Sequence, residues 1–306
     1  MMSSNKFSVK LNSIGKSFKE EMTRILSGIE QPKISIITVC FNSVKTIEKT
    51  IQSVIYQSYP DIEYIIIDGG STDGTLDIIR KYEPHIAKWV SEPDHGIYDA
   101  MNKGIRLATG DIIGIINSDD WYAPDIIKKV AAFFQRNSEV QATYGKYISV
   151  SAKGEKVHGD VLKTPLMNYP HPTMFVRNSV YQRIGLYDTS YKICADSNFM
   201  FRCQCKGIAF SYIPEVIAYF RIGGLSSKLR INAVPLEMKH SWSVLNKEGL
   251  LNSEQWNYVK EEANIIRINY LLDYILGQRM QRYGYAQCFF RQLLNTCNKS
   301  SYIIWG

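Results

Sequence analysis

The chain is short of several things, and each shortage removes a class of protein. Among its 306 residues, no window approaches the roughly 18–20 uncharged apolar residues of a membrane-spanning helix. The first thirty residues have no apolar stretch of the kind a secretory signal needs. Cysteine is sparse and scattered, with six in all. Cys40 sits inside an apolar run, and Cys203 with Cys205 makes a C-x-C with no second Cys/His pair at a zinc-site distance. A disulfide framework is therefore not expected, and the reading is a reducing, cytoplasmic compartment. The net charge is +7, but no Lys/Arg run is dense enough to neutralise a nucleic-acid backbone. A phosphorylated ligand or a membrane surface remains open to a mild basic excess. There is no internal repeat and no low-complexity tract. Two common nucleotide signatures are missing as well. The segment "CFNSVKT" after the first strand has no glycine, which excludes a G-x-G-x-x-G turn, and no G-x-x-x-x-G-K-[ST] occurs. An aspartyl nucleophile of the phosphatase kind would want a second acid two residues after Asp68, where Gly70 stands.

What is present is a rhythm. Hydrophobic residues make up 45% and charged residues 21% of the chain, enough for an ordinary core. "KISIITVCF" (33–41) is β-branched and nearly all apolar, as a strand buried on both faces should be. "NSVKTIEKTIQSVIYQS" then places Ile47, Ile51, Val54 and Ile55 on one helical face, with Asn42 or Ser43 as its cap and Pro60 as its stop. "EYIIID", "AKWVS" and "DIIGIIN" are further strands, with "LDIIRKY" and "IYDAMNKGIRL" as helices between them. Alternation of this kind predicts right-handed βαβ units and a parallel sheet. Beyond residue 142 the pattern changes to a hairpin turning at Lys153–Gly154, a strand leading into a helix at "HPTMFVRNSVYQRIG", a helix at "CADSNFMFRCQC", and strands before "RIGGLSS". Three parts are expected: a helical segment over 1–31, an α/β domain over 32–228 and a helical extension over 229–306.

Ligands of such sheets bind beyond the carboxyl ends of the strands. Those ends carry Phe41-Asn42, Asp68-Gly69-Gly70, Glu92-Pro93-Asp94 and Asp119-Asp120. A solvated loop explains any one of these; several on one edge suggest a cation and a phosphate. Adjacent carboxylates at a strand end suit a hard ion such as Mg²⁺ or Mn²⁺, which takes oxygen ligands and completes its shell with substrate phosphates.

Four stretches in order, "ISIITVCFN", "IIIDGGSTDGT", "SEPDHGIYDAMNKGIRLATGDIIGIINSDD" and "CADSNFMFR", resemble family 2 glycosyltransferases, inverting enzymes of the GT-A fold. The likeness covers residues 33–227 and is strongest to the bacterial surface-polysaccharide subgroup that includes O-antigen and colanic-acid assembly enzymes. It implies a Rossmann-like, mostly parallel sheet flanked by helices. It also implies a nucleotide-sugar donor with UDP foremost, Mg²⁺ or Mn²⁺, and a lipid-linked or growing saccharide acceptor. By position, Asp119 and Asp120 resemble the metal motif, with Asp120 the more direct ligand and Asp119 also beside the donor. Thr38, Cys40, Asn42 and Asp68 resemble the nucleoside side of the site. Gly69 stands where the commoner "DDGS" form has a second acid. Asp94, Asn102 and Lys103 match the segment near the diphosphate and donor sugar, and Asp196 resembles the catalytic base. From its sequence position alone Asp196 could equally cap the helix that follows.

Other readings stay open at this level. His171, between two prolines, could contact acceptor or phosphate or simply shape a loop. Arg221 opens "RIGGLSS", which could close over a diphosphate or form a turn. The basic, aromatic C-terminal tail could lie on a membrane surface, cap the sheet or make a dimer contact. A non-catalytic nucleotide-sugar-binding protein is one alternative. A nucleotidyltransferase is another, although the first strand–helix turn lacks a Gly-rich, Arg-containing phosphate loop.

Overall fold

The computed structural model describes residues 31–159, 166–223 and 233–262. The expected N-terminal helix, the loop from residue 224 to 232 and the tail beyond 262 lie outside them. In chain order the first half runs β1 (Ile34–Cys40), α1 (Ile47–Ile55), β2 (Ile62–Asp68), α2 (Thr75–Lys81), β3 (Lys88–Ser91), α3 (Ile97–Leu107) and β4 (Ile112–Asn117). It continues with β5 (Trp121–Tyr122), α4 (Ile126–Arg136), β6 (Ala142–Ser151), β7 (Gly154–His158), β8 (Phe175–Arg177), α5 (Asn178–Ile184), α6 (Ala195–Cys205), β9 (Phe210–Arg221) and α7 (Ala233–Lys247).

The nine strands among the described residues belong to one sheet, ordered β3-β2-β1-β4-β8-β6-β9-β5, with β7 paired to β6. The β3-β2-β1-β4 half is parallel. Beyond it β8 runs antiparallel to both β4 and β6, and β9 runs parallel to β6. Register sets the site. Cys40 lies abreast of Asp68, Asp68 abreast of Ser91, and Val39 abreast of Asn117, so four strands finish along one rim.

The continuous apolar runs make sense because each strand feeds two cores. Ile34, Ile36 and Cys40 pack with α1, α2 and α4 on one face. Ile37 and Val39 pack with α3, α5 and α6 on the other. Each such isoleucine contributes about 1.5–3 kcal/mol of transfer free energy, which leaves the strands little freedom to shift. Gly104 permits close seating of α3, since a Cβ there would collide with the Ile37 side chain.

Two boundaries differ from expectation. α1 starts at Ile47 with Thr46 as its cap, because Asn42 and Ser43 are drawn elsewhere. Asn42 takes a left-handed φ of 49° and clasps the β2–α2 turn, and the Ser43 hydroxyl bonds that of Ser118 at 2.7 Å. The segment "FSYIPEVIAYFR" is a single strand, with its register against β6 shifting before Lys146 past Pro214 and Glu215 and after Lys146 past Ile217. Contacts divide the chain into a compact unit through Ser241 and a second from Trp242 onward. The described part of the second unit is helical, covering the end of α7 and residues 253–262.

Candidate active site

At the β1–β2 corner the dominant group is Asp68, fully buried. Its Oδ2 accepts hydrogen bonds from Gly70 N (3.0 Å), Ser71 N (2.9 Å) and Ser91 Oγ (2.7 Å). Its Oδ1 accepts from Ser71 Oγ and from the Cys40 thiol. Burial alone would raise its pKa, but these bonds outweigh it and hold the carboxylate ionised. Asp68 was expected to face a ligand; it instead spends both oxygens fixing the turn that shapes the corner. Thr38 departs in the same way, wholly buried with its hydroxyl 3.0 Å from that of Tyr64. Its place near the strand end is right, but its face is the core. Burial and the Asp68 charge push the Cys40 thiol pKa up, so it acts as a neutral donor. Asn42 receives Thr72 N on its side-chain oxygen at 3.0 Å and gives its own N–H to Ser71 Oγ at 2.7 Å.

Gly69 shows why the second acid is absent. A Cβ there would lie 2.5 Å from Asp94 Oδ2 and 3.4 Å from Phe41 Cδ2. The Asp94 carboxylate thus occupies the space beside residue 69, held there by Gly96 N at 2.8 Å. Lys103 braces the same loop, 2.9 Å from Glu92, 3.6 Å from Asp99 and bonded to the Pro93 carbonyl. Asn102 is not available to a ligand. It is buried, and its amide exchanges two hydrogen bonds with the Tyr187 backbone, at 2.8 and 3.0 Å.

The Asp119–Asp120 pair follows β4. Asp120 is 1% exposed. Its Oδ1 accepts the Arg221 main-chain N–H at 2.9 Å, while its Oδ2 is buried without a partner among the described residues. Burial first, then the Asp119 charge, raises the Asp120 pKa well above the carboxylate range, and burial raises that of Asp119. Such a pair is short of positive charge. Its oxygens suit a divalent ion, and an ion there would relieve both the orphaned oxygen and the repulsion. No three His, Cys, Asp or Glu side chains among the described residues form a group that could hold a metal.

Asp196 lies in the first turn of α6, whose cap is Cys194, so Asp196 is not the helix cap. It is half-buried. Its Oδ1 accepts both Tyr98 OH (3.2 Å) and Ser197 N (2.8 Å). His171 faces it electrostatically and approaches Tyr187 OH at 3.3 Å, with burial lowering the imidazole pKa and favouring the neutral ring. The structure therefore groups His171 with the candidate base.

Three neighbours receive no role from the sequence reading. Phe41 is 62% exposed at the tip of β1, where an apolar residue reads as one more strand position. Trp121 stacks on Tyr219 with centroids 5.2 Å apart and carries Lys49 at 3.3 Å and Arg221 at 5.6 Å from its ring. The position of Trp121 directly after the paired acids was the available signal. Tyr98 could be found only through its long-range bond to Asp196.

The profile of glycosyl transferase family 2 matches residues 35–204. The chain is 35% identical to an uncharacterized glycosyltransferase of Mycobacterium tuberculosis over 213 residues, 66% of this chain and 80% of that protein. It is 32% identical to a PGL/p-HBAD biosynthesis glycosyltransferase of Mycobacterium bovis over 206 residues, 65% of this chain and 80% of that one. Among solved structures, S. aureus TarS 1-349 in complex with UDP-GlcNAc superposes with TM-score 0.62 at 20% identity, over 76% of this chain and 71% of that chain. In the longer TarS crystal structure the match spans 41% of the TarS chain. The mannosyltransferase PcManGT from Pyrobaculum calidifontis, in complex with GDP-Man and Mn²⁺, gives TM-score 0.61 at 18% identity, over 76% of this chain and 70% of that one. These two likenesses establish the GT-A fold. With a strand-end rim of this kind and a profile matched over more than half its length, the chain belongs to glycosyl transferase family 2 and is a glycosyltransferase.

Proposed function

We propose that the chain transfers a sugar, with inversion, from a UDP-sugar to a lipid-linked or growing saccharide of the bacterial surface. The observation that carries this reading is the division of the rim's acids. Asp120 is buried, with one oxygen unpartnered among the described residues and the half-buried Asp119 beside it, whereas Asp196 is half-buried with one oxygen engaged. The chemistry needs that division, with some acids tied to a cation and one free to take a proton.

Asp119 and Asp120 would hold Mg²⁺ or Mn²⁺, which when bound neutralises charge growing on the departing diphosphate. Arg221, its backbone anchored on Asp120, offers a guanidinium to the same phosphates. Phe41 gives the nucleobase an exposed face to stack on, and Asp94 offers its carboxylate to the nucleoside or donor sugar across the space left by Gly69. Cys40, Asn42 and Asp68 hold the turn behind that pocket, Thr38 braces β1 against Tyr64, and Asn102 and Lys103 hold the Asp94 loop and the base's neighbourhood in place. On the acceptor side Asp196 takes the proton of the incoming hydroxyl, whose oxygen bonds to the anomeric carbon. The bond from that carbon to the diphosphate breaks, and its electrons leave with the nucleotide. His171, neutral and beside Asp196, is placed to contact the acceptor.

The solved structures of similar fold hold UDP-GlcNAc or GDP-Man, and one relative is named a PGL/p-HBAD biosynthesis glycosyltransferase. The bound ligands support a nucleotide-sugar donor. No helix among the described residues is long and apolar enough to cross a membrane. The basic, aromatic segment after residue 228 is the part proposed to meet a lipid-linked acceptor at a membrane surface. The division into 1–31, 32–228 and 229–306 is proposed on the same footing. The test is Asp196→Asn, read as UDP affinity in Mn²⁺ and as sugar transfer. Unchanged affinity with turnover lowered about a thousand-fold is expected; transfer at the normal rate would move the base elsewhere.

A further inference from the structure

Asp196 is the second residue of α6, and its two carboxylate oxygens are not equivalent. Oδ1 is held twice, by Ser197 N at 2.8 Å and by the phenol of Tyr98 at 3.2 Å. No hydrogen bond from the described residues reaches Oδ2. Ser197 N belongs to the helix that bears the carboxylate and can fix it only relative to its own backbone. Tyr98 comes from a different element and ties the carboxylate to the rest of the molecule.

The location of Tyr98 gives that tie a purpose. It is the second residue of α3, two positions after Gly96, whose N–H holds Asp94 Oδ1 at 2.8 Å and whose φ is 114°. The turn that places Asp94 beside Gly69 therefore also launches the helix that carries Tyr98. Tyr98 is 6% exposed, and its ring lies 5.7 Å from that of Tyr187. The Tyr187 backbone is fastened to α3 through Asn102, so the phenol has little room to swing. Burial and the Asp196 charge raise its pKa, which keeps it a donor at neutral pH. The other titratable groups that face Asp196 are His171, Tyr187 and Cys194, and none of them has a hydrogen bond to its carboxylate among the described residues.

We infer that Tyr98 is a positioning residue: by holding Oδ1 it leaves Oδ2 as the oxygen that accepts the acceptor's proton, and it fixes that oxygen relative to the Asp94 turn on the donor side. The inference rests on Asp196 as base and adds which oxygen acts and what aims it. Loss of one charge-assisted hydrogen bond of this kind corresponds to about a ten-fold change in rate.

The test is Tyr98→Phe, which keeps the ring and removes only the hydroxyl. It is measured beside Asp196→Asn and the double variant, as nucleotide released from whichever of UDP-glucose, UDP-galactose, UDP-GlcNAc and GDP-mannose the wild-type chain consumes fastest in Mn²⁺. Rates are normalised to sites titrated with the corresponding nucleoside diphosphate, so that any unfolded fraction is not counted. The expected result is kcat down about ten-fold in Tyr98→Phe, with donor KM within two-fold of wild type. In the Asp196→Asn background, adding Tyr98→Phe should change the residual rate less than two-fold. An unchanged kcat in Tyr98→Phe would overturn the positioning role while leaving Asp196 as base. So would a raised KM at constant kcat, which would assign the phenol to donor binding, or the same ten-fold loss in the Asp196→Asn background. Full turnover by Asp196→Asn would instead overturn the base assignment on which the inference stands.

Discussion

Asp120 illustrates how a single side chain can be costly to the fold and useful to the site. A carboxylate at 1% exposure with one oxygen unpartnered and an acid beside it destabilises the folded chain unless a cation arrives. Asp120→Asn removes the charge while an amide oxygen can still accept the Arg221 N–H. In EDTA this variant is expected to unfold at higher temperature than wild type, by the equivalent of about 1–2 kcal/mol. It should lose most of the added stability that UDP with Mn²⁺ gives the wild-type chain. Differential scanning calorimetry with and without UDP and Mn²⁺ checks both halves, and an Asn variant that is no more stable than wild type in EDTA would show that the wild-type carboxylate is already neutralised. Gly69 and Asp94 make the complementary case. One residue gives up its side chain so that an acid from another loop can stand in the same space.

At the scale of elements, the sheet's far end is tied as carefully as its rim. Glu63, on β2, accepts Ser35 Oγ from β1 at 2.6 Å and Thr109 N at 2.7 Å, and lies 3.6 and 3.4 Å from Lys33 and Lys88. Burial alone would raise its pKa, but these partners hold it at about 2. A carboxyl whose folded pKa is depressed contributes stability above its unfolded pKa, near 4.5, and loses that contribution as pH falls toward 2. Glu63 should therefore supply up to roughly 3 kcal/mol at neutral pH. Glu63→Gln is expected to be less stable than wild type at pH 7 and to close that gap between pH 4.5 and 2, as measured by urea unfolding; a gap independent of pH would remove the carboxylate from this account. The elements themselves were legible where burial is two-sided, since the runs at β1, β2 and β4 have few polar residues to interrupt them. The strand leading into a helix at β8 and α5 is legible as well, whereas β5, of two residues, is not, because only its distant partner β9 defines it. Spacing placed Thr38, Asp68 and Asn102 near the right strand or helix but could not say that each turns to an internal partner. The cap of α1 was misplaced for the same reason: Asn42 and Ser43 have better bonds available across the rim than along the helix.

For the molecule as a whole, a parallel half-sheet supplies the proposed nucleotide corner, and the mixed half supplies α6 and Arg221. A ligand that bridges them should stabilise the folded state by mass action, by about 2.7 kcal/mol at a hundred times its dissociation constant. A thermal-shift series with UDP alone, Mn²⁺ alone and both together is expected to give a shift for the pair larger than the sum of the single shifts. Additive shifts would mean that ion and diphosphate do not share ligands. Arg221 adds a practical consequence. It secures Asp120 through its main-chain N–H, while its guanidinium lies over Trp121. Backbone anchors survive any exchange of side chain except proline. Swapping the residue at 221 for glutamine thus removes a positive charge from the rim without loosening the acid that its backbone holds.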